Sequence, residues 1–434
     1  LFLSEGTEDI CNEAECLLKI SVTHNGRTVA GDGVSGQGGN IGNSGGSDSI
    51  DTTPPVMTMP NDMTVDYQGT SNGNTIVTFT VTATDNVEMA PDTPGDNYNR
   101  PIACTKSPSG FGVQSPSLGY FDTGLPVGTT SITCTATDAA GNVGTESFTV
   151  TVSPRPSMFI AVGGQIGIIT STDGTSWSNP SSGLDYFRGI TYGNDLLVAV
   201  GDGGEIATST NGTGWTSRTS GTTTDLSDTA YGNGVYVAVG NSGTILSSSD
   251  GESWTTETSG TTKNLRDVAY GNSLFVAVGQ NGKVLSSTDG SSWTTESSGT
   301  STQALEGVIY GNGLFVAVGY SDTIITSSDG SSWSSESSGT SSKHFMDVSY
   351  GGGKYVVVST VNNGAVIITS SDADSWTTQE SGITEHVFGV TYGDGTHVTA
   401  GTNLKMHYSS DGSTWSLADT TGLWGHYYGV TYLP

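Results

Sequence analysis

Two similar segments in the first third of the chain end in oxygen-bearing side chains of the kind that hold Ca²⁺. The tetrapeptide Thr-Ala-Thr-Asp occurs twice, ending at Asp85 and at Asp138. Asn86 follows the first copy, and Asp51 and Asn142 lie at comparable turns. Carboxylate and amide oxygens suit Ca²⁺, so these five residues are the candidate calcium ligands. Alternatively, Asp85 and Asp138 close Asx-turns with their own backbone and bind no metal.

Four cysteines are available for disulfides, and they allow three pairings. The favoured pairing joins Cys11 to Cys16 and Cys104 to Cys134, because the members of each pair lie in one segment and an even number suits an exported protein. The alternative is a metal held by four thiolates, although the spacing lacks two Cys-x-x-Cys pairs. Cysteines five residues apart in a helix are beyond disulfide reach, so a Cys11–Cys16 bridge predicts a loop.

An aromatic cluster near the C-terminus is the candidate binding surface. Trp424 breaks the pattern of the surrounding repeat and lies close to His426 and Tyr427. Aromatic side chains on a loop serve as sugar platforms or protein contacts. The alternative is that they pack against the neighbouring strands.

One N-x-Ser/Thr sequon is a candidate glycosylation site. It is Asn211-Gly212-Thr213, which stands at the tip of a predicted hairpin. An exposed hairpin tip is sterically open to a glycan, so Asn211 is the candidate acceptor.

A repeat fills the chain after residue 156 and predicts the strands and turns that carry Asn211 and the aromatic cluster. Its tail reads Ser-x-Asp-Gly-x-x-Trp, and successive copies are 38 to 43 residues apart. Each copy also contains short apolar runs separated by Gly, Asn, Asp and Ser, which predict four strands and their turns. The seven copies end at Trp177, Trp215, Trp254, Trp293, Trp333, Trp376 and Trp415.

Four strands in each repeat of about 40 residues predict the blades of a β-propeller. The first copy begins directly at its second strand, at Phe159, whereas the chain ends on a surplus first strand, residues 428–432. If these two strands pair, the C-terminus closes a seven-bladed ring. Seven tyrosines at one phase of the repeat, from Tyr192 to Tyr432, agree with that count.

Residues 157–434 resemble the Asp-box (BNR-like) propellers, a group that includes sialidase-like and photosystem-assembly-factor-like repeats. The resemblance implies that the Asp caps a hairpin through backbone N–H groups and that the Trp packs between blades. Asp and Gly are adjacent here, as in Asp289-Gly290, whereas the family places one residue between them. The likeness therefore concerns the hairpin with its Asp and Trp rather than the spacing between Asp and Gly, and it specifies fold rather than function.

A sialidase-like activity would require an arginine cluster at one end of the channel. Arg188 and Arg266 share a phase, four residues before a repeated Tyr, but Arg218 belongs to another strand. The other blades carry Ser, Glu, Met, Phe and Tyr at that phase, and the six histidines are scattered. We therefore expect no catalytic residues, and a glycan-processing enzyme is the third of three functional alternatives.

The part of the chain before the repeat divides into a tail and a second module. Residues 17–22 alternate like a half-buried strand, and residues 31–51 are rich in Gly, Ser and Asn, which predicts a linker; together they place a tail at 1–50. Residues 51–153 are similar to the hyalin-repeat (HYR) domain, which implies an immunoglobulin-like sandwich. Predicted strands lie at 63–66, 76–83, 131–136 and 146–152, and the loops 91–101 and 114–123 are longer than the family pattern. The fold class is thus all-β, an immunoglobulin-like sandwich followed by a propeller.

Composition limits the partners. The net charge is −29, from 13 basic and 42 acidic residues, so nucleic acid and anionic membranes are disfavoured. No segment approaches the roughly 20 apolar residues of a membrane-spanning helix. The sequence starts at Leu1, which leads us to expect a mature chain whose secretory signal was removed.

These observations favour an extracellular, cell-surface protein of structural or adhesive function. The leading hypothesis is a subunit of a filament, sheath or surface layer that joins copies of itself or other surface proteins through the tail or HYR module. The alternative is a secreted adhesin that binds a glycan or protein through the propeller loops. No cofactor is expected to be required, and Ca²⁺ is the one that could bind.

Overall fold

The computed structural model describes residues 52–67, 75, 77, 79, 81–84, 102–107, 112–113, 125–164, 167–180, 186–300, 302–360 and 365–434, together with strands at 23–24 and 27–28. Contacts divide the chain into two compact units, Leu1–Arg155 and Pro156–Pro434. Regular structure in the described residues is β-strand, apart from 3₁₀ turns at Asp202–Gly204, Asn241–Gly243, Gln280–Gly282 and Thr402–Leu404. None of the helices in this part of the chain is long and apolar enough to cross a membrane.

Among the described residues of the first unit there are two small sheets and one five-stranded sheet. The small sheets pair β1 with β2 and β3 with β5, and the large sheet has the order β4-β9-β8-β6-β7, in which only β4 and β9 run parallel. The strands are β1 Thr23–His24, β2 Arg27–Thr28, β3 Val56–Thr58, β4 Met63–Asp66, β5 Thr82–Thr84, β6 Ile102–Ser107, β7 Gly112–Val113, β8 Gly128–Thr137 and β9 Val143–Ser153.

The core of this unit lies on one face of the large sheet. Ile132, Cys134 and Ala136 are buried and alternate with partly exposed residues along β8, as expected for a sheet with one solvated face. Cys104 lies opposite Cys134 on the neighbouring strand, and their sulfurs are bonded at 2.01 Å, so the predicted disulfide is present.

Several expectations for this unit can be compared with the strands. Three of the predicted strands coincide with β4, β8 and β9, whereas the described part of 76–83 is strand only from Thr82. The predicted strand at 17–22, Cys11, Cys16 and the loops 91–101 and 114–123 lie outside the described residues.

The second unit is a series of antiparallel sheets in which strands follow one another in chain order. Six sheets have four strands each. The first two sheets contain β12 Phe187–Gly193, β13 Leu196–Gly201, β14 Ile206–Ser209 and β15 Thr216–Arg218, then β16 Leu226–Gly232, β17 Val235–Gly240, β18 Ile245–Ser248 and β19 Thr255–Glu257. The next two contain β20 Leu265–Gly271, β21 Leu274–Gly279, β22 Lys283–Ser287 and β23 Thr294–Glu296, then β24 Leu305–Gly311, β25 Leu314–Gly319, β26 Ile324–Ser327 and β27 Ser334–Glu336. The last two contain β28 His344–Gly351, β29 Lys354–Thr360, β30 Ile367–Ser370 and β31 Thr377–Gln379, then β32 Val387–Gly393, β33 Thr396–Gly401, β34 His407–Ser409 and β35 Ser416–Leu417.

The beginning and the end of this unit share one further sheet. It contains β10 Met158–Gly163, β11 Ile168–Ser171 and the C-terminal β36 Tyr427–Leu433, in the order β11-β10-β36. Strand β36 pairs antiparallel with β10 from Met158↔Leu433 to Gly163↔Tyr427. The first strands β12, β16, β20, β24, β28 and β32 contact one another in sequence, and β36 contacts both β32 and β12.

Each sheet is buried on both faces because it packs against two neighbours. In β21, Phe275 and Ala277 belong to one apolar cluster, and Val276 and Val278 belong to the next. Successive side chains of a strand point to opposite faces, so a continuous apolar run serves two cores at once. The short apolar runs of the repeat therefore stack the sheets side by side.

The first strand of most sheets contains a bulge that turns side chains toward the common axis. The register in the third four-stranded sheet shifts between Leu265 and Asp267, which leaves Arg266 as the extra residue. The corresponding shifts occur at Arg188, Ser227, Glu306, Met346 and Phe388. Bulges re-aim side chains, and here they define the site considered next.

Candidate functional site at the channel cavity

The candidate calcium ligands that the structure describes are Asp138 and Asn142. The Asp138 carboxylate accepts hydrogen bonds from Asn142 N and Asn142 Nδ2, both at 2.8 Å, and so closes its own turn. Within the described residues, no three His, Cys, Asp or Glu side chains are grouped to hold a metal. Asp51, Asp85 and Asn86 lie outside that part of the chain, and calcium binding stays a prediction.

The repeated Asp-Gly-x-x-Trp hairpins use their aspartates within the turn. Oδ1 of Asp289 accepts from the backbone N of Ser291 at 2.9 Å and of Ser292 at 2.8 Å, and Trp293 Nε1 donates to Gly290 O at 3.0 Å. In the next hairpin the corresponding backbone donors, Ser332 N and Ser331 N, lower the pKa of Asp329 to about 2. These carboxylates therefore fix the hairpins.

Asn211 occupies the place of that aspartate in its hairpin. Its Oδ1 accepts from the backbone N of Thr213 at 3.0 Å and of Gly214 at 2.9 Å. The residue is exposed, so the tip is accessible to modification. Glycosylation of Asn211 stays a prediction.

The aromatic loop before β36 presents only part of the expected binding surface. Trp424 is 58% exposed, and His426 is exposed with its Nδ1 accepting from Asn403 N at 3.3 Å. Tyr427 is fully buried in the cluster that joins the β11-β10-β36 sheet to its neighbour, so it cannot contact a ligand at the surface. The expectation for Tyr427 is corrected because side chains alternate along β36, and it is Tyr428 that faces the axis.

Where the first strands of the sheets meet, their side chains line a cavity of about 200 Å³, here called the channel cavity. One lining residue in each sheet occupies the phase that the sequence identified through Arg188 and Arg266. These residues are Arg188, Ser227, Arg266, Glu306, Met346, Phe388 and Tyr428. The structure therefore brings the shared-phase positions together, while Arg218 lies on the outermost strand and pairs with Glu252 at 2.7 Å.

Three aspartates beside those positions tie neighbouring sheets together. Oδ2 of Asp267 accepts from Val308 N at 2.6 Å, and Oδ2 of Asp347 accepts from Val390 N at 2.8 Å. Asp228 makes the same contact with Val268 N at 3.4 Å. A first strand has no ladder partner on its channel side, so these carboxylates satisfy N–H groups that would otherwise lack one.

Burial in the cavity wall raises the pKa of all three carboxyls, although each side chain keeps partial contact with the water of the cavity. For Asp347, burial and then the charge of Asp267 raise the pKa to about 8. Asp228 and Asp267 lie close together, because the N–H of Val268 donates to both carboxyls, at 3.4 Å and 2.7 Å. Burial and the neighbouring Asp228 raise the pKa of Asp267 well above its usual range.

Both arginines of the cavity have acidic partners of their own. Arg188 pairs with Asp202, and Arg266 Nε lies 3.6 Å from Glu306 Oε2. Within the described residues, the three channel aspartates have no basic partner. The arginines are therefore neutralised locally, whereas the three aspartates have no basic partner in this part of the chain to stabilise their ionised forms, in keeping with their raised pKa values.

One side of the cavity is aromatic. The rings of Phe388 and Tyr428 are 5.4 Å apart, the ring of His386 stacks 6.5 Å from that of Phe388, and the Arg188 guanidinium lies 5.9 Å from the centre of the Tyr428 ring. This wall combines π faces with the carboxylates of adjacent strands.

Three exposed histidines, His344, His386 and His426, occupy equivalent positions at the start of successive first strands. They share a repeat phase but lie on three different elements, and within the described residues they form no group of metal ligands. The signal that finds them is the repeat phase, because each lies two residues before a cavity-lining position.

The comparisons with known proteins concern the repeat region. The family model of the DUF6242 β-propeller domain matches residues 180–296, about a quarter of the chain. No curated protein matches the chain. Together with the stacked four-stranded sheets, this match identifies an all-β protein that contains a β-propeller.

Solved structures similar to the chain are also propellers with low identity. A catalytically inactive virginiamycin B lyase from Staphylococcus aureus with quinupristin is 10% identical, with 57% of this chain and 91% of that chain covered and a TM-score of 0.53. YCF48 bound to D1 peptide is 17% identical, with 57% and 86% covered and a TM-score of 0.46. A nidogen/laminin complex is 13% identical, with 55% and 97% covered and a TM-score of 0.42. Such likeness concerns fold alone.

Proposed function

We propose that this chain is an extracellular binding protein, not an enzyme, and that its propeller recognises a protein partner at the channel cavity. The observation that supports this most directly is the cavity itself, in which an aromatic wall faces carboxylates that have no basic partner within the described residues. Binding sites combine apolar surface with a few polar groups that fix orientation. The exposed Trp424 and His426 lie on the loop that leads into the same wall and extend the surface a partner could contact.

The proposal includes a finer account of the fold. We infer seven blades, six from the four-stranded sheets and one from the sheet in which β36 pairs with β10, fastened by the C-terminal strand. We also infer an Asp-box relationship from the capped hairpins, and an immunoglobulin-like HYR module from the strands of the first unit and its disulfide. Radial stacking then makes the channel a rigid frame for the binding residues.

A binding role accounts for the channel carboxyls better than catalysis does. Asp267 and Asp347 each accept a hydrogen bond from a backbone N–H of the next sheet. Their positions in the cavity wall are therefore explained by the connection that they make between sheets. Buried carboxyls with a raised pKa also occur in catalytic pairs, so enzymatic turnover is the result that would contradict a binding role. We expect no hydrolysis of common chromogenic glycosides by the purified protein.

The test is selection of random heptapeptides displayed on phage, with Phe388→Ala as the counter-selection. We expect peptides that bind the wild-type protein and lose at least about tenfold in affinity on the variant, a change that calorimetry resolves. Ser331→Ala, on an exposed hairpin of the same propeller, is the matched control. Two results would overturn the proposal. The first is that the selected peptides bind the wild-type protein and Phe388→Ala equally. The second is that the wild-type protein binds a glycan on an array and Trp424→Ala does not, which would place recognition elsewhere.

A structural subunit of a surface assembly is the second candidate. The observation that favours it is the alternating sequence pattern at 17–22, which predicts a strand, followed by a predicted Gly/Ser/Asn-rich linker. Such a strand could add to the sheet of another subunit. Electron microscopy and light scattering of the full chain test it. Filaments that disappear when residues 1–50 are deleted would support this role, and monomers under every salt and Ca²⁺ condition would remove it.

A further inference from the structure

We infer that the channel cavity receives a single arginine side chain of the protein partner, with its guanidinium against Phe388 and facing Asp347. This inference rests on the proposed function, because it names the chemistry that the same cavity recognises. Phe388 lies two residues before Val390, whose N–H donates to Asp347 at 2.8 Å. The ring and the carboxylate therefore belong to adjoining walls of one space.

The size of the cavity selects the kind of occupant. Pockets for small organic ligands usually measure about 300–1,000 Å³. The channel cavity is smaller, about 200 Å³, and its lining residues lie near the beginning of the first strands. This space suits one long side chain delivered by a loop or terminus of a partner, rather than a free cofactor or an oligosaccharide.

The charges of the cavity select the sign of the occupant. Arg188 and Arg266 already have acidic partners, Asp202 and Glu306. The aspartates that remain lack a basic partner in the described part of the chain, and the whole chain carries a net charge of −29. An incoming cation is therefore favoured both locally and by the long-range field that steers association.

The aromatic wall selects guanidinium over ammonium. Arg188 shows that this wall accepts a guanidinium, because its planar group lies 5.9 Å from the centre of the Tyr428 ring. The neighbouring Phe388 is half-buried and presents its ring to the cavity. A guanidinium stacks on aromatic faces and also forks to carboxylates, which an ammonium cannot do in the same geometry.

Binding of a cation would also move protons. Burial raises the pKa of Asp228 to about 6, that of Asp347 to about 8 and that of Asp267 well above its usual range, so these carboxyls hold protons at a higher pH than ordinary aspartates. Glu306 and Arg266 border the same space. A guanidinium favours the ionised carboxylates and so displaces a proton to solvent, which makes binding tighter as the pH rises from about 5 to 8.

The experiment uses labelled peptides of the form Gly-Ser-X-Ser-Gly with the full chain. X is arginine, citrulline, lysine or glutamate, and citrulline keeps the shape of arginine without its charge. We expect binding only with a cation, arginine at least about tenfold tighter than lysine and citrulline, and proton release measured by calorimetry in two buffers of different ionisation enthalpy. Equal binding of arginine and citrulline peptides, or arginine binding without proton release, would overturn the inference.

Matched variants separate the site from general charge attraction. Phe388→Leu keeps an apolar side chain and removes the π face. Asp347→Asn keeps an oxygen acceptor but removes the carboxyl that a bound guanidinium would ionise. Asp374→Asn removes one exposed charge elsewhere in the propeller. We expect about tenfold weaker arginine binding in the first two and no change in the third, with thermal unfolding confirming that each variant is folded. Equal weakening in all three would show attraction to the net charge only and overturn the inference.

Failure of this inference is distinguishable from failure of the proposed function. If selected peptides bind at Phe388 but contain no arginine, the protein-binding role stands and the arginine assignment falls. If no selected peptide depends on Phe388, both fall.

Discussion

At the scale of single residues, aspartate has two different positions in the propeller. In the hairpins, Asp289 is near the surface, and backbone donors hold the pKa of its carboxyl well below the usual range. In the channel, Asp347 meets a low-dielectric wall and an acidic neighbour, which raise its pKa. The same side chain thus stays ionised in one place and retains its proton to a higher pH in the other, because hydrogen bonds stabilise the charge in the first and burial opposes it in the second.

Buried histidines distinguish the last four-stranded sheet from the others. His397 stands where Phe275 and Phe315 stand in equivalent sheets, is 1% exposed, and packs near Tyr392 and Trp415. Burial, together with Lys354, lowers the pKa of His397 to about 4, and only Asp411 opposes this shift. His397 is therefore neutral in the folded protein at ordinary pH.

We expect this histidine to make the fold acid-sensitive. Between about pH 6.5 and 4 the unfolded chain takes up a proton at this residue and the folded chain does not, so stability falls as the pH falls through that window. The full shift corresponds to about 3 kcal/mol. His397→Phe, which copies the equivalent sheets, should remove this part of the pH dependence.

Urea unfolding at several pH values measures the effect. The difference in unfolding free energy between wild type and His397→Phe should grow from pH 7 to pH 4 and then level off. His386→Phe, at an exposed histidine, is the control. A difference that stays constant across this range would contradict the prediction.

At the scale of elements, the repeated Tyr-Gly dipeptide sets the spacing between first strands. A Cβ on Gly271 would lie 2.0 Å from Cγ of Tyr310 in the next sheet, and the same relation holds between Gly232 and Tyr270. Each tyrosine ring thus covers the glycine of the sheet before it. Only a residue without a side chain permits this approach, which explains why the two residue types recur together.

Gly271→Ala should therefore destabilise the propeller by about 1–3 kcal/mol, because the Tyr310 ring and its strand must shift to avoid the new methyl group. Thermal unfolding measures the loss. Gly214→Ala is the control, because a Cβ there has only Asn211 Oδ1 nearby, at 3.8 Å. Equal stability of the two variants would show that the sheets slide apart without strain.

At the scale of the whole molecule, the second unit depends on pairing between its first and last strands. Strand β36 supplies a ladder partner for β10 and buries Tyr427 and Leu433 in the clusters on either side. Without it, β10 would present an unpaired apolar edge. The last residues of the chain thus complete the first sheet of the repeat region.

Deletion of residues 427–434 should convert the repeat region into an open array. We expect a lower unfolding temperature and rapid proteolysis within residues 157–180, because the cores on both sides of β10 lose their cover. A synthetic peptide of residues 425–434 should restore protection. Deletion of Pro434 alone is the control, and a truncated chain as resistant as the full chain would contradict this account of closure.

The sequence by itself determined the regular features of this protein. The period of the repeat, its turn residues and its apolar runs predicted an all-β chain and a propeller. The closeness of two cysteines in the sequence predicted the Cys104–Cys134 bridge. Both predictions depend on the spacing of residues along the chain. Only the tertiary structure decided which side chains meet at the axis. The bulges and the ring of first strands bring Arg266, Asp347, Phe388 and Tyr428 into one cavity and bury Tyr427 beside it. The repeat phase marks Arg266, Phe388 and Tyr428 as equivalent positions, but they are up to about 160 positions apart, and their meeting in one cavity and the raised pKa of Asp347 follow from the packing of the sheets.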